Sequence, residues 1–188
     1  MTAHGPLPRA TAFGAVAHCA VATVRLAGRR RIHHPREHVG RRLRFADGTQ
    51  SRVYRETVVD RPPTTDPCVL VVAFRLRRVR GRGHTLFRWE SWFNIPLFVG
   101  FDGFVSKLWL AHDDFGTYRG VYEWDGPESA EAYARALWRV LELVSVKGSI
   151  RYQVIPGLRC DDLLADAHVL DPVEPAGQGS WWRMVAPA

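Results

Sequence analysis

The pattern that most limits the fold lies between residues 100 and 148. Two short runs there, Phe104–His112 and Thr117–Trp124, alternate in side-chain character. In the first, Phe104, Ser106, Leu108, Leu110 and His112 point one way, and Val105, Lys107, Trp109 and Ala111 the other. In the second, Tyr118, Gly120, Tyr122 and Trp124 share a face. A period of two is that of a pleated strand, and the turn Asp113–Gly116 makes the two runs antiparallel neighbours. The period then changes to that of a helix. Tyr133, Ala136, Leu137, Val140, Leu141 and Val144 form one apolar stripe. Asp125 and Glu128 open it as a variant of the capping box, with Pro127 in the first turn. Lys147-Gly148 closes it.

The flanking segments extend this pattern. Val69–Leu76 is a β-branched apolar run, a strand buried on at least one face. Val79–Gly83 is a basic turn, and His84–Phe93 fits a helix that Pro96 ends. Ser149–Ile155 is a last strand, ended by Pro156-Gly157. The order β-α-β-β-α-β over residues 68–155 predicts an α+β fold of the ferredoxin-like split βαβ type. Its four-stranded antiparallel sheet carries helices on one face. The other face needs a cover, from a partner subunit or the N-terminal arm.

On this reading residues 1–66 are an arm, 67–158 the ferredoxin-like domain and 159–188 a tail. In the arm, Ala10–Ala27 reads as a helix with Phe13, Val16, Ala20, Val24 and Ala27 along one side, packing on the domain. Residues 28–40 are a basic linker, and 41–59 a β-hairpin turning at Asp47-Gly48. Residues 61–67 are a proline-rich linker. In the tail, Asp161–Val169 suggests a short helix. Trp181-Trp182 are too apolar for solvent, so the tail docks on its own subunit or a partner. The N-terminus lacks the pattern of a signal peptide, and no uninterrupted apolar run reaches the roughly 18–20 residues of a membrane span. A cytoplasmic protein without stable membrane insertion is expected.

The chain has 188 residues, enough for one ordinary domain with its own core. Of its 26 basic residues all but Lys107 and Lys147 are arginine. Residues 1–82 carry 17 basic against 5 acidic side chains, and residues 83–188 carry 9 against 14. A basic half can signal nucleic acid. The excess of Arg over Lys, with abundant Ala, fits the codon bias of a GC-rich bacterial genome better, so no nucleic-acid partner is expected. Cys19, Cys68 and Cys160 form no CxxC and read as reduced, partly buried thiols. His33, His34 and His38 sit among arginines with Pro35 between them, so no metal is expected. The chain has no P-loop, no GxSxG and no dinucleotide fingerprint, which argues against NTPase, hydrolase and dinucleotide-binding readings.

The chemistry-bearing residues cluster by type. Trp89, Trp92, Trp109, Tyr118, Tyr122, Trp124, Tyr133 and Tyr152 fall in one domain, with Asn94 among them as a polar contact. Aromatic walls with a few polar groups suit a flat, apolar ligand. His84, Lys107 and Arg151 are the candidate catalytic groups. His112, beside Asp113 and Asp114, reads as part of a solvated turn. Glu123 reads either as a salt-bridge partner of Arg88 or Arg119 or as a buried general acid of raised pKa.

The run GFDGFVSKLWLAHDDFGTYRGVYEWDGPESAEAYARAL (100–137) is similar to the YdhR-type proteins of the dimeric α/β-barrel superfamily. The matching residues are Gly103-Phe104 before a strand holding Lys107 and Trp109. Gly120, Tyr122 and Trp124 follow on the next strand, and Ser129–Leu137 contains Ala132-Tyr133. The resemblance implies a homodimer whose two sheets close into a barrel. It also implies a mono-oxygenase of secondary metabolism, working without a cofactor on a small apolar, polyketide-like substrate. A cyclase or isomerase on the same fold, or a non-catalytic small-molecule-binding or stress protein, are the alternatives.

Overall fold

The computed structural model describes residues 5–77, 95–173, 179 and 181–187. In chain order the elements are α1 (Arg9–Gly28), β1 (Ile32–His33), β2 (Arg42–Phe45), β3 (Gln50–Val59), β4 (Pro67–Arg75), β5 (Phe104–Leu110), β6 (Thr117–Asp125), α2 (Pro127–Leu141), β7 (Arg151–Pro156), α3 (Cys160–Ala165), a 3₁₀ turn (Ala167–Leu170) and β8 (Met184–Pro187). The helix expected over 84–93 lies outside the described residues.

The four expected strands are present and antiparallel, in the order β7-β4-β6-β5. The sheet does not stop there. β3 pairs with the free edge of β5, β2 with β3, and β8 with β2, giving eight strands with β1 beside the end of β3. The hairpin expected as an arm is therefore built into the sheet. Its turn is the expected one: Gly48 has φ +80° and donates its N–H to the Phe45 carbonyl at 3.0 Å.

Two bulges set which side chains share a face. One lies between Phe104 and Ser106, and another between Val53 and Arg55. An extra residue in one strand reverses the alternation beyond it. Phe104 thus joins Lys107 and Trp109 on the helix face, against the simple alternation expected for β5. Arg55 pairs with Trp109 and Thr57 with Lys107, which brings both onto that face as well.

The helix face holds one core: Cys68, Leu70, Val72, Phe98, Phe104, Trp109, Tyr122, Trp124, Tyr133, Leu137 and their neighbours. The opposite face holds a second: Val69, Val71, Leu108, Leu110 and Val121 under Leu163, Leu164, Leu170, Trp181 and Trp182. The cover expected from a partner or the N-terminal arm is thus supplied by the chain's own C-terminal segment. The carbonyl of Leu164 accepts from Arg41, and Arg183 donates to Asp171 at 2.6 Å. Each large apolar side chain buried this way contributes about 1.5–3 kcal/mol.

Two helical expectations are corrected. α2 ends at Leu141, because Ser145 turns back to bridge Leu76. Asp125 does not cap it; Gly126 holds the cap position. Asp125 instead accepts from the N–H groups of Thr65 and Asp66 at 3.0 and 2.8 Å, tying down the proline-rich linker. These bonds, that from Asp66 above all, hold its carboxyl below the usual range. α1 does pack on the domain, though by Ala12, Cys19 and Thr23 and not by the expected stripe. The small side permits close approach: a Cβ at Gly100 would stand 2.1 Å from the Cys19 carbonyl oxygen. Phe13, Val21 and Val24 remain exposed. With only three charged or histidine interruptions, α1 is long and apolar enough, by length and composition, to cross a membrane.

Candidate functional site

Among the described residues the helix face is not filled. A hollow of about 700 Å³ lies between β5–β6 and α2, within the size range of small-molecule sites. Tyr54, Phe74, Phe98, Lys107, Trp109, Tyr118, Tyr122, Tyr133 and Leu137 are on its wall. Trp109 is the floor, its indole N–H donating to Thr57 Oγ1 at 3.0 Å. Phe98, brought in by the turn after Pro96, meets Trp109 edge-on at 5.3 Å. Tyr122 folds back over Gly120, where a Cβ would stand 2.7 Å from its ring, so a larger residue there would push the Tyr122 ring aside. Tyr133 on α2 donates its hydroxyl to the Tyr122 oxygen at 3.3 Å. Burial pushes both hydroxyls above the usual tyrosine range, and they stay protonated. Phe74 and Tyr118 stack at 5.9 Å at the rim.

Lys107 is the polar centre of this hollow. Its residue is 6% exposed. The ammonium nitrogen lies 3.3 Å from the centroid of Trp109, 4.4 Å from Phe98 and 4.7 Å from Tyr122. Among the described residues it has no carboxylate within ion-pair distance and no hydrogen bond. A desolvated cation gains about 2 kcal/mol from a ring face, whereas an uncompensated buried charge costs several kcal/mol. The Arg55 guanidinium, 4.1 Å from the same indole, adds like-charge repulsion. Burial first, and Arg55 second, therefore hold the Lys107 amine well below the ordinary lysine range.

The fold brings together Lys107, Trp109, Tyr118, Tyr122 and Tyr133 of the expected site. It separates three others. Arg151 pairs in register with Ala73, which faces the tail, so its side chain is on the far side of the sheet. There it stacks on Trp181 at 4.8 Å and borders a polar recess with Arg75, Ser149 and Arg119. Trp124 is core, fully buried against Phe104 and Tyr133, and does not reach the hollow. Tyr152 packs on Trp138 and donates to Glu131 at 3.5 Å, also away from it. His84, Trp89, Trp92 and Asn94 lie outside the described residues.

Tyr54, Arg55 and Phe98 were not anticipated. The alternation of QSRVYRETVV carried a signal for the first two, yet it assigns them to a detached hairpin. Only the pairing of β3 with β5 brings them to the site. Asp113, expected in a solvated turn, is buried: it accepts from Arg119 at 2.8 Å and from the N–H of Thr117 at 2.9 Å. Arg119 also donates to Asp47 at 2.6 Å. Glu123 is not the partner of Arg119. It accepts from the Cys160 N–H at 2.9 Å and lies 3.8 Å from Arg159. Burial raises its carboxyl above the usual range, offset in part by those partners.

The histidines hold the linker to β3. His38 lies 3.1 Å from Glu56, and His33 2.7 Å from Asp60. Among the described residues no group of three or more His, Cys, Asp or Glu is placed to hold a metal ion. Cys19, Cys68 and Cys160 are buried free thiols, and burial raises the pKa of each, that of Cys68 to about 12.

No family model and no curated protein matches the chain. Among solved structures, a Listeria monocytogenes protein is similar at a TM-score of 0.41 and 11% identity, over 60% of this chain and 66% of its own. It is described as a ferredoxin-fold protein related to antibiotic biosynthesis monooxygenases. The chain thus spans just under two thirds of that protein. A likeness this distant lends no weight to the site, and the YdhR-type resemblance remains one of sequence motifs. The strand order above shows a mixed helix-and-strand fold whose β7-β4-β6-β5 segment is antiparallel, as expected of a ferredoxin-like sheet.

Proposed function

We propose that the chain binds a small, flat, largely apolar molecule in the hollow between β5–β6 and α2, and that Lys107 moves a proton on it. The observation that carries this reading is the ring-caged amine on the wall of that hollow, with no carboxylate within ion-pair distance among the described residues. A neutral amine in an apolar site is a base matched to a phenol or an enol. Once it takes the proton, the ammonium and the new anion compensate each other, which the empty site cannot do. Trp109, Phe98 and Tyr122 would hold the ligand's ring, and the Tyr122–Tyr133 hydroxyls would donate to its oxygen.

The reaction that fits the sequence resemblance is oxygenation without a cofactor. The carbanion passes an electron to O₂ and combines with it. One oxygen atom becomes a carbonyl on the substrate and the other leaves as water: R₂CH₂ + O₂ gives R₂C=O + H₂O. Cyclisation or isomerisation would use the same base, with Lys107 returning the proton to carbon. Dimeric barrels bring two open sheet faces together. Here α3, Trp181 and Trp182 occupy that face, so we place the complete site within one chain.

The test is incubation of the metal-stripped protein with a hydroxylated anthrone under O₂ and under argon, following oxygen uptake and quinone absorbance. Quinone under O₂ only, lost in Lys107→Met, is expected. Product formed equally under argon overturns oxygenation. Tryptophan fluorescence unchanged by the anthrone overturns the site itself.

A further inference from the structure

We propose that Lys107 also captures carbonyl compounds covalently, condensing with an aromatic aldehyde or ketone seated in the hollow to form an imine. This rests on the reading of the hollow as a small-molecule site but goes beyond proton transfer.

Three observations carry it. The first is position: Lys107 lines the cavity, and its nitrogen is within 5 Å of the centroids of three rings. A flat aromatic carbonyl compound packed among those rings presents its carbonyl carbon to the amine. The second is that no acid among the described residues competes for the nitrogen, and burial with the nearby Arg55 pushes its pKa down, which favours the free amine. An unprotonated lysine in an apolar pocket is a carbonyl nucleophile. The third is a donor for the leaving oxygen. The Tyr122–Tyr133 hydroxyl pair borders the same hollow, and burial keeps both protonated.

The step balances without a further reactant. The amine lone pair attacks the carbonyl carbon, and the nitrogen's proton passes to the oxygen to give a carbinolamine. The C–O bond then breaks, the oxygen taking a proton from the tyrosine pair, and water leaves. Loss of the second nitrogen proton, back to the pair, gives the neutral imine: R–CHO + Lys–NH₂ gives R–CH=N–Lys + H₂O.

The sequence supplies an internal control, since Lys147 is the only other lysine and sits on the exposed turn after α2. The experiment treats the full-length protein with 2-naphthaldehyde and sodium cyanoborohydride at neutral pH, and reads intact mass and peptide maps. The expected result is a single addition equal to the aldehyde less one oxygen atom, at Lys107. It should exceed label at Lys147 severalfold, because a depressed pKa raises the share of free amine at neutral pH. Label confined to Lys147 or the N-terminal amine overturns the proposal, as does the absence of any label. In those outcomes, quenching of tryptophan fluorescence by the aldehyde in both wild type and Lys107→Met leaves the small-molecule site standing. Absence of quenching removes the site as well. Because the decisive readout is on the wild-type chain, it does not depend on how the variant folds.

Discussion

The two faces of the sheet bury charge under different terms. On the tail face, Arg119 lies against Asp113 and Asp47, Arg183 against Asp171, and Glu123 against Arg159 and a backbone N–H. Leu163, Leu164, Leu170, Trp181 and Trp182 fill the space around them. On the helix face, Lys107 rests on the rings of Trp109, Phe98 and Tyr122 and, among the described residues, has no ion-pair partner; a hollow adjoins it. A chain that can close one face with paired charges and dense packing leaves the other open at a measurable cost in stability. Unpaired buried groups beside a cavity are where binding and chemistry concentrate.

The comparison breaks most visibly at Asp113. Asp113→Ala leaves the buried Arg119 guanidinium with Asp47 as its remaining carboxylate among the described residues and strips the acceptor from the Thr117 N–H, and should lose about 3 kcal/mol in urea unfolding. A loss below about 1 kcal/mol would mean the tail face does not depend on its pairs. Next come matched truncations. Leu164→Ala, in the filled core, should cost toward the upper end of about 2–5 kcal/mol, and Leu137→Ala, on the hollow's wall, toward the lower end. Equal losses would show the hollow to be as tightly packed as the tail face.

Lys107→Met sharpens the contrast in pH. The folded chain keeps this amine neutral at pH values where an unfolded lysine still binds its proton. The unfolded state therefore binds more protons, and wild-type stability rises with pH up to the ordinary lysine range, by at most about 1.4 kcal/mol per pH unit. The methionine variant should lack that rise, fold at least as stably at pH 7, and lose ligand turnover. Chemical denaturation at a series of pH values checks it.

The smallest effect is expected at Glu123→Gln. Its carboxyl pKa is raised, so wild type loses this group's contribution as pH climbs from the ordinary glutamate range. The variant should match wild type near pH 4 and gain less than about 1 kcal/mol over it by pH 7. An unchanged difference across that range would place Glu123 in contact with water.

Much of the local structure was legible. The period-two runs of β5 and β6, the stripe of α2 and the Asp47-Gly48 turn depend on neighbouring residues alone. The placement of Lys107 with Trp109, and of Tyr118 with Tyr122, followed from alternation within single strands. Phe104 did not, because a bulge has no mark in the pattern of polarity. Arg151 was misplaced for a related reason. Its strand was identified, but which face it shows depends on its register with β4. Asp125 reads as a helix cap, yet it bonds the linker because residues 65 and 66 arrive beside it.

The amino-acid order alone settled that β2 to β7, α1 and α2 form and how acids, bases and rings alternate along β5 and β6, since steric preference and apolar periodicity act over a few residues. Only the tertiary structure decided that β3 extends the sheet and brings Arg55 to Trp109, and that the chain's own tail covers the far face. It also decided that Lys107 has no carboxylate within ion-pair distance among the described residues. Those outcomes follow from pairings between residues tens of positions apart, where the free energy of burying one surface against another selects among partners that local pattern leaves equivalent.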